Sequence, residues 1–307
     1  MPYDHTFDAG LRAQFELRRR QGQRHRDIAQ ALGVSEGRLI AAHCQAPGDA
    51  RLQATPLQPH WSALIGALHE LGQVMALTRN AGCVHEAIGR YPASLAGTGR
   101  VAGEGFELQL HYARWAGGFG VAEQGVRGGL QRSLQFFDAG GQAIHKVVLQ
   151  SGSTQEAFGP LLARFAGTQP TAFEPVPAAQ PAPAPMPAAA TQHAAGVQRL
   201  LEWAAQQALA LTVRVANPGA EQSRSAAVQR IAVMGPWLNI LDPGFNLHLR
   251  ADWIDRTERH SSAVRAVPML QVCAAGGALL CSIEPASDAD AVRWAALVDV
   301  ALPECVA

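Results

Sequence analysis

A β-hairpin is predicted from residues 234 to 250, and it constrains the fold of this chain more than any other segment. The segment reads MGPWLNILDPGFNLHLR. Two strand-like pieces, 237–241 and 245–250, flank an Asp-Pro-Gly sequence that is typical of a tight turn. Apolar and polar residues alternate in the second piece, which predicts one apolar and one polar face.

The polar face of this second strand has two interpretations. It can present the imidazole of His248 and the guanidinium of Arg250 to a ligand, with Phe245 on the apolar face. It can equally be the solvated side of a half-buried strand, which is the more common situation. The sequence leaves both interpretations open.

Part of the hairpin sequence recurs 139 residues earlier, where GFELQL from Gly105 matches GFNLHL from Gly244. Three more pairs of short motifs keep the same order at shifts of 136 or 137 residues. They are Asn80 with Asn217, the Gly-Gly pairs at Gly140 and Gly276, and Phe158 with Trp294. A nearly constant shift of this length predicts a duplicated domain rather than a solenoid repeat.

Composition agrees with two soluble domains. The chain has 307 residues, of which 48% are hydrophobic, enough for two ordinary cores. The formal net charge is zero, so no global field favours nucleic acid or an acidic membrane surface. Charged residues occupy the N-terminal stretch and no apolar run is long enough for a membrane helix, so we expect a cytoplasmic protein.

The five cysteines have no zinc-site spacing, and reduced structural thiols are expected. Cys273 and Cys281 flank a Gly-Gly pair. A two-residue loop there would place Cys273 opposite Leu280 and the two sulfurs on opposite faces.

Residues 11–43 are predicted to form three helices, at 11–21, 27–32 and 36–43. Gly33 and Ser35 separate the last two in a pattern that resembles a helix-turn-helix, with Ser35 as N-cap. Apart from Arg38, the last helix is poor in side chains that read bases, so a packing module is favoured and nucleic-acid binding is not expected.

The remaining elements predict an α+β fold built on antiparallel sheet, in which each half ends in a helix. An alanine- and proline-rich stretch separates the halves. The predicted domains are a helical segment 1–50, a first repeat 51–166, a linker 167–192 and a second repeat 193–307. Strands are predicted at 74–79, 100–101, 107–111, 118–123, 131–138, 142–150, 211–215, 225–233 and in a hairpin 269–283, and helices at 61–71, 155–165, 197–208 and from Ser287 to residue 298.

Several long motifs, in the same order, resemble the hemin-degrading factor family of cytoplasmic haem-utilisation proteins. They are RDIAQALGVSEGRLIAAH, MALTRNAGCVHEAIGRY, LQRSLQFFDAGGQAIHKVV and the hairpin segment. The resemblance implies two similar halves, each a large twisted antiparallel sheet with flanking helices. It also implies that haem is bound, and is either passed to a haem oxygenase or degraded.

The resemblance implies an axial histidine on a helix that opens the second half. That helix is predicted to be missing, because only 24 positions separate His193 from Asn217 and the linker occupies the space. His193 is the candidate ligand that remains there, without the aromatic neighbours of the family. The arginine that the family places near haem in the first half is Gln109 here.

A second candidate haem contact is retained in the Val84-His85-Glu86 sequence. The resemblance implies His85 as an iron ligand, with Glu86 able to orient its imidazole. His85 can also be an ordinary loop or capping residue. The candidate haem-binding residues are therefore His85, Glu86, His193, Phe245, His248 and Arg250.

These observations favour a haem-binding, haem-trafficking protein of iron acquisition, with haem as ligand and a haem oxygenase or haem importer as partner. One alternative is a haem-degrading enzyme, which needs an external reductant because the chain has no flavin or nicotinamide fingerprint. The other is a non-haem paralogue that acts as an interaction or regulatory protein through residues 11–43.

Overall fold

The computed structural model describes residues 5–93, 98–125, 128–173, 188–261 and 268–302. The chain divides into two compact units, each described by itself. Unit 1 comprises Met1–Ala76, Arg90–Gly99 and Leu110–Pro181, and unit 2 comprises Leu77–Gly89, Arg100–Gln109 and Ala182–Ala307. Unit 2 therefore contains two stretches of the predicted first repeat. The predicted domain boundaries stay a prediction.

The α-helices are α1 His5–Arg20, α2 His25–Ala31, α3 Glu36–Ala41, α4 Trp61–Ala67, α5 Phe158–Phe165, α6 Ala188–Gln206 and α7 Ala291–Ala301. Short 3-10 helices follow α4 and precede α5 and α7, at Leu68–Leu71, Gln155–Ala157 and Asp288–Asp290. None of the helices in these described ranges has the length and hydropathy required to span a membrane.

The strands are β1 Leu52–Pro56, β2 Gly72–Arg79, β3 Cys83–Arg90, β4 Arg100–Ala102, β5 Glu107–Leu110, β6 Gly117–Gln124, β7 Leu130–Phe137, β8 Ala143–Ser153, β9 Ala210–Asn217, β10 Ala220–Ala227, β11 Ile231–Met234, β12 Trp237–Asp242, β13 Phe245–Arg250, β14 Arg256–Ser261, β15 Pro268–Cys273 and β16 Leu279–Pro285. The α+β prediction is confirmed.

In unit 1 the strand order is β1-β6-β7-β8-β2, and the helices α1 to α3 pack on this sheet. Five of the six residues of α3 are buried, and Arg38, the sixth, is ion-paired with Asp8. The side chain of Ser35 accepts a hydrogen bond from the backbone N–H of Arg38, as predicted for an N-cap. A helix buried in this way is a packing element and does not present a reading face to DNA.

Unit 2 contains two groups of strands, with the orders β3-β13-β12-β11 and β14-β15-β16-β9-β10-β5-β4. The predicted hairpin of β12 and β13 is confirmed, with Asp242 opposite Phe245. Gly244 has φ +75°, a conformation that glycine adopts without strain after the proline of the turn. Its sequence echo Gly105 also has a positive φ, +92°, which supports the duplication.

The equivalent asparagines of the two halves hold unit 2 together. Asn80 Oδ1 accepts hydrogen bonds from the backbone of Gly82 and Cys83, and Asn217 Oδ1 does the same for its own turn. Asn80 Nδ2 also donates to the Leu280 carbonyl at 2.8 Å, while Asn217 Nδ2 donates to the Arg79 carbonyl at 2.9 Å. Each side chain thus closes one hairpin and ties it to the strands of the other half.

Three details of the sequence prediction are wrong. Residues 225–233 do not form one strand, because β10 ends at Ala227 and β11 begins at Ile231. Cys273 lies opposite Leu279 rather than Leu280, because the ladder has a bulge and the loop is longer than two residues. The four described cysteines are free, and Cys305 lies outside the described residues.

The third error concerns the linker. Helix α6 begins at Ala188, inside the range predicted as linker, and the proline-rich core of that range lies outside the described residues. Alanine has the highest helix propensity and the last proline precedes Ala188, so the segment AAATQHAAG continues into the helix. His193 therefore lies within a helix.

We predict that Asn80→Ala lowers the free energy of unfolding by about 2–3 kcal/mol, because several hydrogen bonds worth about 1 kcal/mol each are lost together. Urea denaturation followed by circular dichroism measures the change. Gln142→Ala is the control, because this side chain is exposed. A change of less than about 0.5 kcal/mol in Asn80→Ala would contradict this role.

Candidate functional site

Strands β3, β13 and β12 lie side by side in unit 2, and their alternate residues form a polar face. The register places Asn246 opposite Glu86 and His248 opposite Asn239. Arg250 follows on the same side of β13, opposite Trp237. We call this surface the His248 face, and define it by Glu86, Asn239, Asn246, His248 and Arg250.

The side chains of the His248 face are joined by hydrogen bonds. His248 Nδ1 lies 2.7 Å from Asn239 Oδ1, and Asn246 Nδ2 donates to Glu86 Oε2 at 3.2 Å. His248 Nε2 lies 3.9 Å from Glu86 Oε2, which is beyond hydrogen-bond distance. The side chains of His248 and Glu86 are each 20% exposed, so both retain contact with solvent.

Arg250 lies between two indoles at one end of this face. Its guanidinium is 5.3 Å from the Trp237 ring and 5.0 Å from the Trp253 ring, within cation–π range. Asp252 accepts two hydrogen bonds from Arg250 and raises the pKa of the guanidinium. The arginine is a rigid, charged group next to aromatic surface.

His85 lies on β3, on the side opposite the His248 face, and points into the core. It is fully buried, its ring is 4.8 Å from the Phe245 ring, and Gln222 Nε2 donates to its Nδ1 at 2.9 Å. His85 Nε2 has no hydrogen-bond partner within the described part of the chain. Burial lowers the pKa of His85 to about 3. This effect outweighs that of the Val213 backbone, which raises the pKa.

These positions correct two expectations from the sequence. His85 belongs to strand β3 and is not a loop or capping residue. Glu86 does not orient the His85 imidazole, because neighbouring residues of a strand point to opposite faces, and its carboxylate meets Asn246 instead. Phe245 packs against His85 in the core. The structure thus brings Glu86, His248 and Arg250 to one face and His85 with Phe245 to the other.

His193 belongs to neither group and lies near the N-terminus of α6. Its Nδ1 is 3.0 Å from the hydroxyl of Thr257 on β14, and its side chain is partly buried. The other ring nitrogen makes no hydrogen bond within the described residues. Because the Thr257 hydroxyl is the partner of Nδ1, Nε2 is the ring nitrogen that is available to a ligand.

Gln109 replaces the arginine that the family resemblance implies in the first half, but the neighbouring strand supplies another arginine, Arg100. Gln109 on β5 lies directly opposite Arg100 on β4. The Arg100 side chain is 68% exposed and lies 3.9 Å from the Glu107 carboxylate. A guanidinium is therefore present one strand away from the position at which the sequence has lost it.

Asn239, Trp237 and Trp253 were not among the residues predicted from the sequence. The signal for the first two was present in the hairpin. Counting outward from the Pro243–Gly244 turn pairs Asn239 with His248 and Trp237 with Arg250. Trp253 follows the hairpin in a 3-10 helix, so no strand register could place it.

We predict a specific pH dependence from His85. The unfolded chain protonates this residue near pH 6.5, whereas the folded protein does so near pH 3. The stability that neutral His85 contributes is therefore complete above pH 6.5 and is lost as the pH falls towards 3. Between pH 6.5 and 4.5 the free energy of unfolding should fall by about 2–3 kcal/mol more in the wild type than in His85→Gln.

Urea denaturation at a series of pH values measures these slopes. Burial also lowers the pKa of His43, to about 4, but His43 is present in both proteins, so the difference isolates His85. The exposed His69 provides the control variant His69→Gln, which should keep the wild-type slope. Equal slopes for wild type and His85→Gln would show that His85 is not held neutral by burial.

Comparison with known proteins gives a consistent family. The profile of the Haemin-degrading HemS.ChuX domain matches twice, at residues 33–165 and 176–300. The two matches confirm the tandem repeats predicted from the sequence. Among curated proteins, Hemin transport protein HmuS of Yersinia pestis is 28% identical in an alignment of 310 positions that covers 85% of this chain and 87% of HmuS.

Solved structures give the same result. Holo-PhuS, a heme-binding protein from Pseudomonas aeruginosa, superimposes with a TM-score of 0.78 and 29% identity over 94% of this chain and 98% of PhuS. The Escherichia coli heme-degrading enzyme ChuS has a TM-score of 0.77 at 22% identity over 94% of this chain and 98% of ChuS, which supports the fold alone. With both halves matched by the family profile, this chain belongs to the haemin-degrading HemS/ChuX family.

Proposed function

We propose that this protein binds haem as its cargo and carries it within the cytoplasm during haem-iron acquisition. Membership of the HemS/ChuX family supports the proposal, as do the names of two relatives, one a hemin transport protein and one a heme-binding protein. A haem carrier needs an iron ligand, cations for two propionates and apolar walls.

The observation that carries the proposal is the position of His193. The absence of the family's ligand-bearing helix stays a prediction, but α6, which overlaps the predicted helix 197–208, already begins at Ala188, so His193 lies on a helix. When Nδ1 donates to the Thr257 hydroxyl, Nε2 keeps its lone pair, which is the form of imidazole that binds iron. Helix α6 thus supplies a histidine already anchored on one side.

Unit 2 also contains groups of the other kinds that a haem carrier needs. Arg100 and Arg250 carry guanidinium groups of the kind that bind haem propionates, and here they contact the carboxylates of Glu107 and Asp252. Trp237 and Trp253 supply aromatic surface of the kind that lines haem pockets. His85 remains a predicted ligand, but iron could reach it only if the core of unit 2 opened, because its side chain is fully buried.

A carrier receives haem from one protein and delivers it to another. We propose a haem importer as the source and a haem oxygenase as the acceptor, as the family resemblance implies. Delivery requires that iron be held by a bond that a second protein can replace. A single imidazole on a surface-accessible helix meets this condition better than a buried one.

We predict that ferric haem titrated into the purified protein gives a sharp, saturable Soret band, and that His193→Ala weakens binding at least tenfold, since an axial ligand is lost. Absorption spectroscopy at constant ionic strength measures both. His69→Ala, in which an exposed imidazole is removed, should titrate like the wild type.

A weak, non-saturating absorbance change in the wild type would contradict the proposed function. The same loaded sample, treated with ascorbate, distinguishes transport from degradation. A carrier returns intact haem on extraction, whereas a degrading enzyme yields open-chain tetrapyrrole and free iron.

A further inference from the structure

The His248 face contains a histidine whose hydrogen-bonding state is fixed by its neighbours. Asn239 Nδ2 donates to the backbone carbonyls of Ala232 at 3.0 Å and Trp237 at 3.1 Å. Only the NH₂ end of an amide can donate, so these two carbonyls determine which end of the Asn239 amide points at them. Asn239 Oδ1 must therefore point at His248.

This orientation determines where the neutral His248 ring carries its hydrogen. Asn239 Oδ1 can only accept, and it lies 2.7 Å from His248 Nδ1, so Nδ1 carries the hydrogen and donates it. The lone pair of the ring is then on Nε2. This is the tautomer of a metal-binding histidine, with a carbonyl oxygen as the partner that fixes ring orientation and raises the basicity of the other nitrogen.

The lone pair on Nε2 lies near a second electron-rich group. Glu86 Oε2 is 3.9 Å away, too far for a direct hydrogen bond. The carboxylate is itself held in place by Asn246 Nδ2. The nitrogen lone pair and the carboxylate oxygen, 3.9 Å apart, are both electron-pair donors of the kind that bind a metal cation.

The surroundings select the kind of cation. Within the described residues, no group of three or more His, Cys, Asp or Glu side chains is placed to hold a bare metal ion. An iron porphyrin needs only one protein ligand because the macrocycle supplies four nitrogens. Trp237 and Arg250 lie in the same hairpin, and the guanidinium of Arg250 is also close to the indole of Trp253 in the 3-10 helix that follows.

We infer that His248 binds the iron of ferric haem through Nε2, with Asn239 as the positioning residue and Glu86 as the charge that favours the ferric state. This inference rests on the proposed function, because it assigns a ligand for the same cargo. It adds a binding position on the sheet to the one proposed on helix α6.

The test is a ferric haem titration of wild type, His248→Ala and His248→Cys, monitored by absorption and electron paramagnetic resonance. His248→Ala should lose at least tenfold in affinity or one equivalent of bound haem. His248→Cys should bind haem with the spectrum of a thiolate ligand, which a purely structural histidine would not produce. His260→Ala is the matched control, because His260 also lies beside a glutamate, Glu258, at 3.2 Å, but is more exposed.

Two further variants test the supporting residues. Asn239→Leu removes the acceptor that fixes the tautomer and should weaken binding by about tenfold. Glu86→Gln should raise the reduction potential of the bound haem, because a negative charge near the iron is removed. Circular dichroism confirms that each variant is folded.

The outcomes separate this inference from the proposed function. Saturable haem binding in the wild type with unchanged affinity, stoichiometry and spectrum in His248→Ala and His248→Cys would overturn the assignment of His248 and leave the carrier function standing. Absence of saturable binding in the wild type would overturn both. A band lost in His248→Ala and converted in His248→Cys establishes the ligand.

Discussion

The pairing of β3 with β13 is the contact on which unit 2 and its candidate site depend. It joins a strand of the first repeat to a strand of the second, with Asn246 opposite Glu86 and Leu247 opposite His85. A shift of one residue would exchange the two faces of β3 and place His85 outside and Glu86 in the core. The register therefore decides which ionisable groups can meet a ligand. The side-chain hydrogen bonds of Asn80 and Asn217, one asparagine from each repeat, support this register from the adjoining hairpins.

The two faces of β3 illustrate how one strand supports both stability and chemistry. His85 is neutral and enclosed, with one nitrogen bonded to Gln222 and the ring against Phe245. His248, on the neighbouring strand, is partly exposed and has its tautomer fixed by Asn239. Both are histidines in strands, yet burial makes the first a core residue, while partial exposure leaves the second able to bind a metal. His193 on α6, whose Nδ1 lies within hydrogen-bond distance of the Thr257 hydroxyl, provides a third arrangement of the same side chain.

The parts of the fold and of the candidate site that have strong local sequence signals could be predicted. The Asp-Pro-Gly turn predicted the β12–β13 hairpin, and counting from it gives the partners of His248 and Arg250. Strand β3 was missed because its buried positions are Cys83, His85, Ala87 and Gly89, while its more hydrophobic Val84 and Ile88 lie on the other face. The hydrophobic pattern of β3 therefore predicts the wrong face as the buried one. The pairing of β3 with β13 involves residues about 160 positions apart, and no local pattern specifies such a contact. The start of α6 was missed because a proline-rich composition obscured the alanine-rich segment that follows it.

The most direct test of the account is a crystal structure of the full chain grown with ferric haem. The account predicts haem in unit 2 with iron bound to His193 Nε2 on α6 and, at the second position, to His248 Nε2, with Asn239 Oδ1 still accepting from His248 Nδ1. His85 should remain enclosed beside Phe245. A structure in which haem is bound only by residues outside unit 2, or in which His248 Nε2 meets only the Glu86 carboxylate while iron lies elsewhere, would contradict it.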